Sequence, residues 1–233
     1  MSGSRMPLTG FGTWKLREPE LEPAIRAALK VGYRHFDGAA IYENESELGR
    51  VFQTIISNEQ FVSRSELFIT SKLWVTSMKP RSVRPACEQS LKDWKMDYFD
   101  LYLIHWPFCF KSDTKTGSTL YDVHGVAIID EECQIEDTWR EMEKLVQAGL
   151  VKNIGVSNFS LNLLKRILAM SDLKIIPAVN QVELHPYLQQ RELRDYCNGI
   201  NIVVEAYSSL GSGKTAPYLL ADESFIEIAK DLK

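Results

Sequence analysis

Several widely separated positions in this 233-residue sequence carry side chains that hold a proton, pass one on, or orient a polar ligand. Asp37 ends one apolar run, Lys72 follows Ile69-Thr70-Ser71, and His105 follows Leu103-Ile104. Ser157-Asn158 follows Gly155-Val156, Gln181 lies near the end of its run, and Tyr207 closes Val203-Val204-Glu205-Ala206. Taken singly, each has an ordinary reading: an Asp or His at a strand end is a cap or turn residue, and a Lys there is solvated. Their shared position after apolar runs changes the weighing. In a parallel barrel all C-terminal strand ends meet on one rim, where active sites sit. A carboxylate, an ammonium, an imidazole, amides and a phenol would then converge on one mouth.

The elements that must position them are legible as alternation. Short apolar runs occur at Arg34-His35-Phe36, Leu67–Thr70, Leu101–Ile104, Asn153–Val156, Ala178–Val182 and Ile202–Val204. Several read as strands buried on both faces. A weaker seventh lies around Met6-Pro7-Leu8-Thr9. Between the runs lie helical periods: Leu21, Ile25, Ala28 and Leu29; Val83, Cys87, Leu91 and Trp94; Ile135, Trp139, Met142 and Val146. Leu164, Ile167 and Leu168 follow Ser160, a good N-cap. Pro85 is tolerated only near the first turn of its helix. Phe225, Ile228, Ala229 and Leu232 mark a last helix, within which the sequence stops. Strand then helix, repeated about every thirty residues, implies a parallel α/β sheet with right-handed crossovers. One long connection, from about Phe108 to Cys133, has little helical signal and reads as a lid or binding loop.

Composition narrows the function classes. The apolar and charged fractions, 45% and 25%, are those of an ordinary globular protein, and the length suits one domain, residues 1–233. A net charge of −4 gives no footprint for a nucleic-acid partner. No apolar run is long enough to span a bilayer, and the polar start Met1-Ser2-Gly3-Ser4-Arg5 is not a signal peptide. Cys87, Cys109, Cys133 and Cys197 form no CxxC pair, so neither zinc nor disulfide chemistry is indicated and no metal is expected. A reducing, cytoplasmic setting is the default. No GxGxxG follows a strand, which leaves a Rossmann cofactor site unsupported.

Over nearly its whole length the sequence resembles the aldo-keto reductase family. The likeness lies in Gly32–Glu45 (GYRHFDGAAIYENE), Ile69–Trp74 (ITSKLW), Asp100–Pro107 (DLYLIHWP), Ile154–Phe159 (IGVSNF) and Val179–Pro186 (VNQVELHP). It implies a (β/α)8 TIM barrel that moves hydride between NADP(H) and a small carbonyl compound. It maps a catalytic tetrad onto Asp37, Tyr42, Lys72 and His105. Tyr42 would protonate the carbonyl oxygen. A free tyrosine has a pKa of about 10, and a neighbouring Lys72 would lower it, with Asp37 keeping the lysine charged and oriented. His105 would hold the carbonyl by a hydrogen bond. Ser157, Asn158 and Gln181 would bind the nicotinamide carboxamide and Tyr207 would stack on its ring. Thr13, Ser208, Leu210 and Ser212 complete the implied cofactor contacts, with Gly211 and Gly213 permitting close backbone approach. Taken alone, 208–214 also reads as a plain glycine-serine loop. Trp14, Trp74, Trp106 and Phe108 would line an aromatic substrate mouth, though for Trp74 core packing stands equally open.

Against the family pattern, the sequence stops at Lys233, before an eighth strand, its helix and a C-terminal tail. The expected barrel is therefore incomplete, with unpaired edges and no residue here to choose NADP over NAD. An N-terminal hairpin also looks absent or reduced. Lys214 stands where many members place an acid that closes against Lys15, so that latch is not expected. A complete barrel is expected to be a monomer; a fragment, an inactive shortened product, or a chain completed by oligomerising are the alternatives. The rival to an enzyme is a non-catalytic binding or structural barrel.

Overall fold

The computed structural model describes residues 5–113, 116–213 and 216–232. Seven parallel strands form one sheet in strictly sequential order: β1 (Gly10–Gly12), β2 (His35–Asp37), β3 (Phe68–Leu73), β4 (Phe99–Ile104), β5 (Val151–Ser157), β6 (Val179–Glu183) and β7 (Val203–Tyr207). Neighbour follows neighbour around a barrel, with β1 and β7 as the two edges. The crossovers carry α1 (Leu21–Lys30), α2 (Glu45–Gln53), α3 (Pro80–Trp94), α4 (Ile135–Gln147), α5 (Leu161–Leu168) and α6 (Arg191–Gly199); α7 (Ala216–Leu220) and α8 (Glu223–Asp231) follow β7.

Strand alternation divides the core in two. Outward side chains such as Phe36, Ile69, Tyr102 and Ile154 meet the buried helix faces, including Leu48, Phe52, Trp94 and Trp139, in one large cluster. Inward residues Phe68, Leu101, Leu103 and Val179 form a small second cluster inside the barrel. Above that plug the inward positions turn polar, so the barrel is apolar below and reactive on top.

The apolar periods of α1 and α3 land where they were expected, whereas the last one, Phe225, Ile228, Ala229 and Leu232, lies on α8 and its C-cap with no residue buried. Leu21, Ile25, Ala28 and Leu29 are buried on α1, and Val83, Cys87, Leu91 and Trp94 on α3. Val146 is only partly buried on α4, where Leu145 is the inward residue. Ser160 takes the N-cap position of α5 with extended backbone, but its hydroxyl makes no cap hydrogen bond. Pro85 lies deeper than its first-turn expectation, because α3 already starts at Pro80.

Two strands differ from their sequence signatures. The first is at Gly10–Gly12, beyond Met6–Thr9, and Leu8 is fully exposed. Glycine carries no hydrophobic signal, yet Gly10 opposes His35, and a Cβ there would lie 2.9 Å from the His35 ring. The third strand runs on through Ser71 and Lys72 to Leu73, all buried. It can do so because each polar side chain has a partner: Thr70 with His35 at 2.9 Å, Ser71 with Glu45 at 2.5 Å, Lys72 with Asp37 at 2.5 Å. The long connection is a paired excursion. Antiparallel bridges join Phe110 to Ile129, Ser112 to Thr119 and Tyr121 to Ala127. No helix among the described residues is long and apolar enough to cross a membrane.

Helix α2 lies so close to the end of α3 that only glycine fits at position 49. A Cβ there would stand 2.0 Å from the Asp93 carbonyl oxygen and 2.8 Å from the Trp94 carbonyl carbon. Gly49→Ala is expected to lower unfolding free energy by about 1–3 kcal/mol, the cost of overpacking that forces backbone shifts. Urea denaturation measures it, and an unchanged midpoint would show that the two helices part freely.

Candidate active site

The rim delivers its side chains by register. Asp37 on β2 is opposite Thr70, Lys72 on β3 is opposite Leu103, and Ser157 on β5 is opposite Gln181 on β6. Lys72 is fully buried, and its Nζ donates to Asp37 Oδ1 at 2.5 Å, to the Gly38 carbonyl at 3.0 Å and to Tyr42 Oη at 3.2 Å. Gln181 Nε2 donates to Asp37 Oδ2 at 2.8 Å, so both carboxylate oxygens accept. Tyr42 sits on a 3-10 turn, Ala40–Tyr42, just beyond β2, which ends with Glu43 at φ 55°. The His105 ring stands edge-on to Tyr42, with centroids 5.7 Å apart. Folding therefore gathers Asp37, Tyr42, Lys72 and His105 within mutual reach.

Burial sets the protonation states. Desolvation pulls the Lys72 ammonium down, but the Asp37 charge, Tyr42 and the hydrogen bonds to both outweigh it, leaving it above the ordinary lysine range. Tyr42 corrects the sequence expectation. Lys72 does draw its phenol down, but burial, aided by Asp37, raises it more, so the proton is held firmly. Burial and then the Lys72 charge push His105 down to about 3, leaving a neutral imidazole. Its Nδ1 is buried without a hydrogen-bond partner.

Above this floor opens a cleft of about 620 Å3. Of the residues expected at the substrate mouth, Trp14, Trp74 and Trp106 line it. Phe108 does not; it stands behind Trp106, against Phe110. Of the expected cofactor residues, Ser157, Asn158, Gln181, Tyr207, Ser208 and Ser212 line it. Thr13 is wholly buried behind the floor, its hydroxyl donating to the Asp37 carbonyl at 2.9 Å, and Leu210 points away, 67% exposed. Lys214 lies outside the described residues, so the Lys15 latch has no structural counterpart to inspect. Lining residues the sequence reading missed are Gly12, Ile41 and Glu183. Glycine and isoleucine carry no chemical signal, and Glu183 reads as one more strand-end acid.

The rim amides are wired to one another. Asn158 Nδ2 donates to the His105 carbonyl at 2.9 Å and to Ser157 Oγ at 3.2 Å, while its Oδ1 accepts from Tyr207 Oη at 2.8 Å. Ser157 Oγ donates to the Gln181 carbonyl at 2.9 Å. Asn158 and Ser208 take left-handed backbone, φ 62° and 51°, which turns each away from its strand toward the mouth. Among the described residues one metal-like cluster is found: ligand atoms of His35, Asp37 and Glu205 lie within 4.8 Å of one another. The Lys72 ammonium on Asp37 already supplies the positive charge there.

Two buried side chains that follow Tyr42 in the chain tie this segment to its neighbours. Asn44 donates to the Thr13 and Leu16 carbonyls at 2.8 and 3.0 Å. Glu45 accepts from Ser71 Oγ at 2.5 Å, Ser90 Oγ at 2.8 Å and Trp94 Nε1 at 2.9 Å. Burial raises its carboxyl, against the pull of those three donors.

Removing one member of the buried ion pair leaves the other charge uncompensated. Asp37→Asn is expected to lose about 3–5 kcal/mol of stability, measurable by denaturant titration. A loss below about 1 kcal/mol would place the ammonium in contact with water. The neutral His105 also sets a pH dependence. The folded chain binds fewer protons than the unfolded one between the ordinary histidine value and about 3, so stability falls as pH drops through that window. His105→Gln should lose less stability than wild type between about pH 7 and pH 5, where an unperturbed histidine titrates; parallel losses would refute the assignment.

Comparison with known proteins agrees with this geometry. The aldo/keto reductase family profile matches residues 9–222. Aldo-keto reductase family 1 member A1 of Gallus gallus is 44% identical over 212 residues, covering 91% of this chain and 63% of the relative. Aldose reductase B of Dictyostelium discoideum is 43% identical over 228 residues, covering 96% and 71%. The chain thus spans less than two thirds of the Gallus gallus relative's length. Among solved structures, the aldose reductase of Schistosoma japonicum superposes with a TM-score of 0.89 at 39% identity, covering 99% of this chain and 72% of that one. The aldose reductase of Giardia lamblia gives 0.88 at 38% identity, covering 95% and 72%. With a family profile that spans most of its length and relatives more than 40% identical, this chain belongs to the aldo/keto reductase family.

Proposed function

We propose that this protein is an oxidoreductase that reduces aldehydes or ketones to alcohols with NADPH, and that Tyr42 supplies the proton. One contact supports the reading above all others: the buried Lys72 ammonium touches Asp37 on one side and the Tyr42 hydroxyl on the other, directly under the cleft. A carbonyl oxygen that gains charge during reduction needs a proton donor that stays protonated until that charge appears. A phenol raised by burial meets the first need. A neighbouring ammonium, which stabilises the phenolate left behind, meets the second.

His105 is neutral at working pH, so its ring nitrogen can donate a hydrogen bond to the same oxygen without competing for the proton. Trp14, Trp74 and Trp106 give the mouth an apolar wall that excludes water and suits a hydrophobic aldehyde or ketone. The reacting atoms balance simply: carbonyl carbon takes hydride, carbonyl oxygen takes the Tyr42 proton, and an alcohol leaves.

The cleft fits a nicotinamide cofactor. Its volume lies in the range of small-molecule sites. One wall offers the amides of Asn158 and Gln181 and the Ser157 hydroxyl, the donor and acceptor types a carboxamide requires, beside the Tyr207 ring. Ser208 and Gly211, both at positive φ, line the cleft where the chain leaves β7, and Ser212 stands beside them. Bound there, the cofactor supplies the hydride. Ser157, Asn158 and Gln181 would hold its carboxamide, Tyr207 would lie against its ring, and Ser208 and Ser212 would meet its phosphates. The Gln181 bond to Asp37 means that carboxamide binding and the ion pair share one side chain.

Tyr42→Phe removes the proton donor and little else. Turnover of an aldehyde with NADPH should fall by about 10^2- to 10^4-fold, the span typical for loss of a general acid. Quenching of tryptophan fluorescence by NADPH should persist in the variant. Wild-type turnover in Tyr42→Phe would defeat the assignment, and absence of quenching in the wild type would defeat the cofactor reading.

A further inference from the structure

One ionisable group beneath the cleft has no part in this mechanism. Glu205 lies on β7, one inward position below Tyr207, with its side chain 14% exposed. Its Oε1 is 3.8 Å from His35 Nε2, and its Oε2 is buried with no hydrogen-bond partner. Asp37 and His35 face it from β2, with ligand atoms all within 4.8 Å. Lys72 faces it from β3, Gln181 from β6 and Tyr42 from the turn after β2. The nearby β1 contributes only Gly10-Phe11-Gly12.

The charges around Glu205 do not balance if every acid ionises. His35 is held down by burial, so it is neutral and Lys72 is the single cation among these groups. Two carboxylates would then share one ammonium in a largely buried pocket, and like charges so placed leave one proton bound. Both Asp37 oxygens accept from donors, Lys72 and Gln181. Glu205, with an oxygen that accepts nothing, is the acid. Burial, then the Asp37 charge, push its carboxyl up to about 7, against the pull of Gln181 and Lys72.

We infer that Glu205 is a positioning residue for the Lys72–Tyr42 contact: it holds a proton beneath Asp37, so that Lys72 serves one carboxylate and keeps its third contact on the phenol. Loss of that proton places a second negative charge beside the ammonium. Lys72 is then drawn toward the carboxylates, and Tyr42, which the Glu205 charge also raises, becomes a poorer proton donor. Reduction should slow as pH rises through the titration of Glu205. The rate consequence rests on Tyr42 as the proton donor; the bound proton does not.

Infrared difference spectra of wild type and Glu205→Gln, recorded at about pH 6 and about pH 9 to bracket a raised carboxyl, test the proton directly. The expected result is a protonated-carboxyl C=O band in the wild type at the lower pH, lost at the higher pH and missing from the variant. In parallel, wild-type kcat with an aldehyde and NADPH should fall by roughly threefold to tenfold over that interval, as the phenol becomes a weaker proton donor. Glu205→Gln should lack that limb and Glu205→Asp should retain it. A wild-type spectrum without the band overturns the inference whatever the turnover, as does an unaltered limb in Glu205→Gln. An inactive wild type that still shows the band would instead remove only the reduction reading. Should the Gln variant fail to fold, a shift of the band in Glu205→Asp makes the same assignment, and an unshifted band overturns it.

Discussion

The structure is organised around an ammonium that water cannot reach. Lys72 has no exposed surface, and it is tolerated inside a barrel only because three oxygens surround its Nζ. Desolvating such a charge costs several kcal/mol, which close, well-directed partners must offset. That requirement fixes the positions of β2 and the turn behind it: Asp37, the Gly38 carbonyl and Tyr42 all come from one short stretch of chain. The same requirement fixes Gln181 on the far side of the barrel, since Asp37 needs a second donor to keep its other oxygen satisfied. One buried cation thus specifies the relative heights of β2, β3 and β6, and the reactive phenol inherits its position from that arrangement.

The division between apolar plug and polar rim follows from the same logic. Phe68, Leu101, Leu103 and Val179 fill the barrel from below and exclude water from the ion pair. Above them the inward positions carry groups that are costly to bury alone, and nearly all are paired. Of the buried side-chain atoms without a partner among the described residues, two, His105 Nδ1 and Glu205 Oε2, belong to residues beside the Lys72–Asp37 pair.

Much of this was legible in the residues themselves. Asp37, Lys72 and His105 each read as an ordinary cap, turn or solvated residue alone, and became legible only together, as polar groups closing several apolar runs on one rim. The helical faces were readable because 3.6-residue spacing of apolar side chains has no competing explanation. Tyr42 was reached only through family resemblance: it sits on a turn, where a tyrosine carries no periodic signal. The first strand was misplaced because glycines at 10 and 12 give no hydrophobic pattern, although close approach to His35 demands the one at position 10. The third strand was read too short because Ser71 and Lys72 look like a strand's end when their partners, Glu45 and Asp37, lie far off in sequence. Glu205 passed as an ordinary strand residue for the same reason: the carboxylate that gives it meaning is contributed by another strand.

The grip of Glu45 has a consequence for how the molecule must move. This side chain stands three residues beyond Tyr42 and is bonded at once to strand β3 and to two residues of α3. Barrel wall, outer helix and reactive hydroxyl are in effect bolted to one strut. A displacement of α3 along the wall would have to carry Glu45 with it or break these hydrogen bonds. The shell of helices is therefore part of the instrument that sets where the proton sits, and the effective boundary of the site lies outside the barrel that appears to contain it.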